Sequence, residues 1–343
     1  MGGRVEPSVN ALFKFLTGSA VASACLLGLL QPLAPRPADG LLHVSFDATR
    51  EVLLEMAESF SASCNRNGIA APRMVHSHGS SGSQARAVVA GLPADIVSLA
   101  VWPDLKTVVT QGLPGLVESD WLKKPSPWFT TMVFVVRRGN PKCIHSWQDL
   151  DRSDVQVMLP NPKVSGNGKL AFLALMGAGK LAGLSESELE AYLKRVLGRV
   201  PVLESSSRAA TLSFATKGLG DVQITYESEA ELVLREGLDL EKVIPEVSIM
   251  APLPMAPVIR ASQTAEHREF VGKYMDYFVS EEAQEIVVKH GFRPVNPAVI
   301  ARHAERFARP KRFFTVEDVA GSWDNASKKI FGQDGLFDRV MAP

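Results

Sequence analysis

Three short turns rich in serine and glycine carry the residue types that grip an anion without a formal counter-charge. They are Ser77-His78-Gly79-Ser80-Ser81-Gly82-Ser83-Gln84, Val164-Ser165-Gly166-Asn167-Gly168 and Ser205-Ser206-Ser207-Arg208. Each follows an extended pattern and opens a helical one, running into Ala85 to Gly91, Leu170 to Met176 and Ala209 to Thr216. At a helix start the first backbone N–H groups lack an intrahelical acceptor and the peptide dipoles sum to a positive end, so a tetrahedral anion is held there by amides. Glycine allows close approach, and serine hydroxyls add donors while capping the helix. A hydrogen bond to a charged acceptor contributes about 1.5–3 kcal/mol, and micromolar binding needs only about 8 kcal/mol in all. One such turn alone reads as a helix cap; three in one chain point to a common ligand. None contains Asp or Glu, so the set suits a fully ionised oxyanion, which presents acceptors only.

The elements that position these turns are legible from Leu41 onward, where β-branched runs alternate with helical patterns and argue for parallel sheets in α/β lobes. Leu42 to Phe46 reads as a strand, followed by Leu53, Met56 and Phe60 at helical spacing, with Asp47 or Thr49 placed to cap the entering turn. Further strands are expected at Ala94 to Val101, Thr130 to Val136, Val155 to Leu159 and Val222 to Tyr226, and a helix from about Ser185 to Val196. Phe270, Tyr274, Tyr277 and Phe278 form an aromatic stripe that reads as the core-facing side of a helix. Two segments read as passages between lobes, Lys123 to Thr131 and Ile249 to Val258. In the second, Pro252, Pro254 and Pro257 forbid helix and favour an extended crossover.

The chain of 343 residues is long enough for two compact domains, and its 37 Lys plus Arg balance 37 Asp plus Glu. With no net charge, nothing draws the whole molecule to nucleic acid or an anionic membrane, and any preference for anions must be local. Arg4 and Lys14 precede an apolar run from Phe15 to Leu30 and a Pro-rich stretch from Gln31 to Asp39, the order of an export signal. That run is shorter than the roughly 20 residues a membrane span needs. Ala22-Ser23-Ala24 before Cys25 is a weak form of a lipoprotein cleavage site, and cleavage near Ala34 or Ala38 competes with it. Cys64 and Cys143 enter an oxidising compartment, yet a fold of this size needs no staple and neither has metal-ligand spacing. No metal and no cofactor is expected.

At these same residues the sequence resembles the periplasmic sulfate-binding proteins of ABC-type sulfate and thiosulfate importers, over nearly all of Leu42 to Asp338. Val44-Ser45-Phe46-Asp47-Ala48-Thr49-Arg50-Glu51 is similar to the family's V-S-Y-D-P-T-R-E opening, and Ser77 to Gln84 to its S-H-G-G-S-G-K-Q turn. Val135 to Lys142, Pro160-Asn161-Pro162-Lys163, Gly220-Asp221-Val222, Phe292-Arg293-Pro294, Phe314-Thr315-Val316-Glu317 and Gly321-Ser322-Trp323 continue the match in order. The resemblance implies a two-lobed type II periplasmic binding protein fold, each lobe a mainly parallel sheet flanked by helices, with the ligand in the cleft. Residues 41–125 with about 250–310 would form lobe I, 126–249 lobe II, 311–343 a C-terminal extension packing on both, and 1–40 the export segment. Carried over by position, the ligand-binding residues are Ser81, Ser165, Gly166, Asn167, Ser207 and Tyr226. Arg208 would brace the third turn, and Asp47, Arg50 and His78 stand behind the ligand contacts or serve as caps and surface groups. The implied partners are sulfate or a related oxyanion and the permease subunits of the importer; a monomer is expected, and no nucleic acid.

The sequence departs from that pattern where it has Tyr226 for Trp, Ser80 and Asn167 for Gly, and Ser206-Ser207-Arg208-Ala209 for Gly-Ala-Arg-Gly. A tyrosine hydroxyl both donates and accepts, unlike an indole N–H, so sulfate ranks first, thiosulfate next, and molybdate or phosphate lower. Whether the Glu227 carboxylate faces the cleft is open, because neighbours on a strand diverge. Two other classes compete: a partner that signals to a membrane receptor, and a hydrolase with Ser77 or Ser81 as nucleophile, His78 as base and Asp95 as orienter. The last lacks a nucleophile-elbow pattern.

Overall fold

The computed structural model describes residues 40–112, 124–260, 262–307 and 310–342. The expected export segment lies outside the described residues up to position 39, Cys25 included, as does Lys123 at the start of the first crossover. The described chain opens with β1 (Gly40–Phe46), α1 (Arg50–Arg66), β2 (Arg73–Gly79), α2 (Ser81–Val89), β3 (Ile96–Ser98) and α3 (Trp102–Gln111). It continues with β4 (Trp128–Arg137), β5 (Val157–Met158), α4 (Gly166–Leu181), α5 (Glu186–Leu197), α6 (Ser207–Ala215), β6 (Val222–Tyr226), α7 (Glu227–Arg235), β7 (Leu240–Val243) and β8 (Val247–Pro252). Next come β9 (Met255–Pro257), α8 (Ala265–Tyr277), α9 (Glu281–Lys289), β10 (Arg293–Pro294), α10 (Pro297–Arg302), β11 (Arg312–Phe314) and α11 (Val316–Ala320), followed by short helical turns up to Met341.

Two sheets organise these elements. The first has the order β2-β1-β3-β9, with β1 parallel to both neighbours and β9 antiparallel at the edge. The second has the order β11-β8-β4-β6-β5, with β7 and β10 also paired to β4. The expectation of a mainly parallel sheet in each lobe holds for the first sheet and needs correction for the second. There β4 runs antiparallel to β6, β7, β8 and β10, and only β8 with β11 and β5 with β6 are parallel. The reason is topological. Strands β4 and β8 carry the chain away from the first sheet and back toward it, so they oppose in direction, and they pair with each other from Phe129↔Pro252 to Thr131↔Met250. The three prolines fall where β8 ends, between β8 and β9, and where β9 ends, in keeping with an extended return.

Strand parity decides which helix covers which face. Met132, Phe134 and Val136 of β4 and Val222, Ile224 and Tyr226 of β6 join the core that contains α4, whose Leu170 to Leu175 are all buried. The alternate residues Val133 and Val135 pack instead with Phe214 of α6 and Ala230 and Val233 of α7. Helices α4 and α6 therefore lie on opposite faces of one sheet, and their starts meet beyond the carboxyl ends of β5 and β6, the place where open α/β sheets bind ligands. In the first sheet the His43 ring lies edge-on to Tyr274 and Phe278, whereas Val44 joins a cluster with residues of α2 and α3. The aromatic stripe packs inward as expected, with Tyr274 and Phe278 buried and Phe270 and Tyr277 partly buried against the same core. Cys64 is buried in α1 and Cys143 is exposed, and both are free thiols.

Two local expectations change. Helix α2 begins at Ser81 rather than Ala85, and Ser77-His78-Gly79 completes β2 rather than forming a turn; parallel pairing with β1 down to Phe46↔Gly79 overrides the weak strand propensity of these residues. Neither Asp47 nor Thr49 caps α1 through its side chain. Thr49 Oγ1 donates back to the Phe46 carbonyl at 2.8 Å, and Asp47 is engaged from across the cleft.

Candidate functional site

The carboxyl end of the first sheet presents the start of α2, and that of the second presents the starts of α4 and α6. The two groups of residues touch. A Cβ placed on Gly166 would lie 2.4 Å from the Ala100 Cβ, and one on Gly82 would lie 3.3 Å from the Val164 carbonyl oxygen, so the close approach depends on both glycines. Ser81, Ser165, Asn167, Ser207 and Tyr226 are all buried along this contact.

The starts of α4 and α6 are capped by a serine side chain so that part of the donor set stays open, while Ser80, the N-cap of α2, makes no side-chain cap bond. Ser165 is the N-cap of α4 and accepts from Gly168 N, leaving the Gly166 and Asn167 amides without an intrahelical acceptor. Ser206, not Ser207, is the N-cap of α6 and accepts from Ala209 N. Ser207 is the first helical residue, and Asn167 Nδ2 donates to its hydroxyl oxygen at 2.7 Å. Ser81 opens α2, and its Oγ accepts from Ala100 N at 3.0 Å, which leaves the hydroxyl proton available to donate. The Tyr226 hydroxyl is buried and without a partner among the described residues. Burial, then the nearby carboxylates of Asp47, Asp104 and Glu229, push its pKa well above the usual value and keep it protonated.

The charged residues around the site neutralise one another. Arg208 forms ion pairs with Glu51 at 3.0 Å and with Glu229 at 3.1 Å, and Asp47 Oδ2 accepts from Arg208 N at 3.1 Å. Burial opposes the guanidinium charge, but Glu229 and Glu51 outweigh it and raise the Arg208 pKa. In Glu229 burial prevails and raises the pKa; in Glu51 burial also pushes it up, but the bond to Arg208 and the charges of Arg208 and Arg50 together outweigh burial and lower it. Arg208 thus ties the start of α6 to α1 and α7. His78 Nδ1 lies 2.7 Å from Ser45 Oγ, and its ring stacks on His76 at 5.5 Å. Burial, then Arg50, lowers its pKa to about 3, so it is a neutral support and not a counter-charge. Arg50 opens α1 beside Glu51 and His78.

Sequence reasoning missed the pair Lys169 and Asp104, 3.0 Å apart and 12% and 8% exposed, which links the first turn of α4 to the first turn of α3. The one available signal was an acidic residue in the first turn of a helix. The open question about Glu227 is answered by the fold: its carboxylate accepts from Arg293 at 2.7 and 3.1 Å and lies 3.6 Å from Lys242, in ion pairs rather than in the cleft. The hydrolase trio is not assembled. Ser77 Oγ donates to Gln84 Oε1, and Asp95 takes Leu42 N, Arg260, Gln263 and His267.

The sequence profile of bacterial extracellular solute-binding proteins matches residues 42–293. A thiosulfate-binding protein of Pseudomonas aeruginosa is 35% identical over 328 residues, spanning 94% of this chain and 98% of its own length. A sulfate-binding protein of Salmonella typhimurium is 35% identical over 307 residues, spanning 88% of this chain and 92% of its own. The solved structure of the sulfate-binding protein SubI from Mycobacterium tuberculosis H37Rv superposes with a TM-score of 0.77 at 31% identity, covering 85% of this chain and 99% of that one. With its two helix-flanked sheets and the cleft between them, the chain belongs to the bacterial extracellular solute-binding protein family.

Proposed function

We propose that this chain captures sulfate or thiosulfate outside the cytoplasmic membrane and delivers it to the permease subunits of an ABC importer. The reading places the anion among Ser81, Ser165, Gly166, Asn167, Ser207 and Tyr226, between lobe I (41–125 with about 250–310) and lobe II (126–249). The observation that carries it is a buried meeting of three helix starts where open backbone amides and hydroxyls supply neutral donors, the nearby Arg208 is already paired and the Asp104 carboxylate is held by Lys169. Such a site replaces the hydration of a dianion with fixed N–H and O–H dipoles. The names of the relatives support the same anions. Export through residues 1–40 into the periplasm, with a lipid tether at Cys25 as a variant, follows from the order of that segment.

The test is isothermal titration of the mature chain in chloride buffer with sulfate, thiosulfate, molybdate and phosphate. Tight 1:1 heat from sulfate or thiosulfate with phosphate silent supports the donor-only site. Heat from phosphate alone would overturn the sulfate assignment and point to Asp104, whose Oδ2 is buried without a partner, as the acceptor for a ligand proton. Silence from all four anions removes the transport reading.

A further inference from the structure

Asn167, Ser207 and Thr225 meet where the starts of α4 and α6 converge on the end of β6. Asn167 Nδ2 donates to Ser207 Oγ at 2.7 Å and to Thr225 Oγ1 at 3.1 Å, while Asn167 Oδ1 has no partner among the described residues. The three side chains are 2%, 2% and 0% exposed. The amide brings two N–H groups and each hydroxyl one O–H. Links inside the trio use only half of these hydrogens, whether the amide gives to both hydroxyl oxygens or its carbonyl oxygen receives from both hydroxyls. The other half is surplus, in a place closed to water and beside the open amides of Gly166 and Asn167. A buried donor with no acceptor loses its hydration without compensation, so a trio whose sole task were to tie α4 to α6 would be a poor one. An anion arriving at these helix starts supplies the acceptor.

We propose that Asn167 is a positioning residue and Ser207 a side-chain donor to the bound anion. The Asn167 amide occupies a lone pair of the Ser207 oxygen and turns the hydroxyl proton toward the oxyanion. Thr225 holds the second amide hydrogen and so fixes the plane of the amide. Ser207 then contributes a hydroxyl in addition to its backbone N–H. This rests on reading the cleft as an oxyanion site.

The test is a pair of double-mutant cycles, read by calorimetric titration of the mature chain with sulfate and thiosulfate, with the ligand-free melting temperature as control. S207A is expected to weaken binding about tenfold, the size of one hydrogen bond to a charged acceptor, while the ligand-free melt reads separately the cost of leaving an Asn167 N–H unpaired. N167G is expected to weaken it several-fold in the wild-type background and by less than about twofold in S207A, because its effect passes through the hydroxyl. T225V, a near-isosteric change on a strand, follows the same pattern and decides the matter if N167G does not fold. Wild-type affinity in S207A would overturn the donor role of Ser207 and the positioning role with it, and losses that add in both cycles would overturn the positioning role; neither outcome touches the oxyanion reading. Failure of the wild-type chain to bind either anion would remove the oxyanion reading together with both roles.

Discussion

Tyr226 joins an apolar ring contact to a buried hydroxyl donor. Its ring packs edge-on to Phe46 at 6.0 Å, contributing apolar burial, while its hydroxyl is buried with no partner. Removing an unsatisfied buried hydroxyl relieves a desolvation penalty of about 1–3 kcal/mol, whereas removing a donor to an anion weakens binding by a similar amount. Tyr226→Phe is therefore expected to leave the ligand-free melting temperature equal or higher and to weaken sulfate binding about tenfold. Thermal melts and titration of the same sample read both signs. A lower melt with unchanged affinity would place the hydroxyl outside the site. Next along the chain, Glu227 is turned the other way into its pair with Arg293, so the same test on Glu227 would report on folding.

At the scale of elements, β1 and β2 carry three histidines toward the start of α2. His43 is fully buried and hydrogen-bonded to Ser98 at 2.7 Å, and burial, then His76 and His78, lowers its pKa well below the ordinary value. Burial lowers His76 to about 4 and, with Arg50, lowers His78 to about 3. Their pKa in the unfolded chain is about 6.5, so below that pH the unfolded state takes up more protons than the folded one. The stability these strands contribute is full above about pH 6.5 and is lost progressively as pH falls through about 4 to 3. Urea midpoints are expected to fall between pH 7 and pH 5, above the range where most carboxylates titrate. His76→Phe, which keeps a ring to stack on His78, should flatten part of that fall. An unchanged slope would mean that His76 is solvated enough to titrate normally.

For the whole molecule, the ion pairs across the cleft matter more than their number. Lys169 and Asp104 join α4 to α3, and Arg208 and Glu51 join α6 to α1, all partly or wholly buried with the two sheets in contact. Breaking a buried pair leaves one charge uncompensated, at a cost of about 3–5 kcal/mol. If the lobes part, that charge regains water, so the cost appears in closure and not in unfolding. Lys169→Met is expected to weaken sulfate binding by tenfold or more with little change in the ligand-free melt. The compaction on adding sulfate, read by small-angle scattering, should shrink, and Asp104→Asn in the same chain should recover part of both. A fall in the ligand-free melt without loss of affinity would show that the pair stabilises a lobe instead.

The serine-capped starts of α4 and α6, the alternation of strands and helices, the extended return through Pro252, Pro254 and Pro257, and the inward stripe of α8 were legible in the chain itself. Caps, glycine approach, proline geometry and helical spacing act between residues a few positions apart, so local chemistry settles them. What Asp47, Glu227 and Asn167 do was not legible. Their partners Arg208, Arg293 and Ser207 lie 161, 66 and 40 positions away. The direction of a polar side chain depends on which distant donor the packing brings to it, and the antiparallel set of β4 in the second sheet likewise arises only when the outgoing and returning strands are laid side by side. Local sequence determined where an anion would find open amides; tertiary structure decided which charges were already neutralised around them.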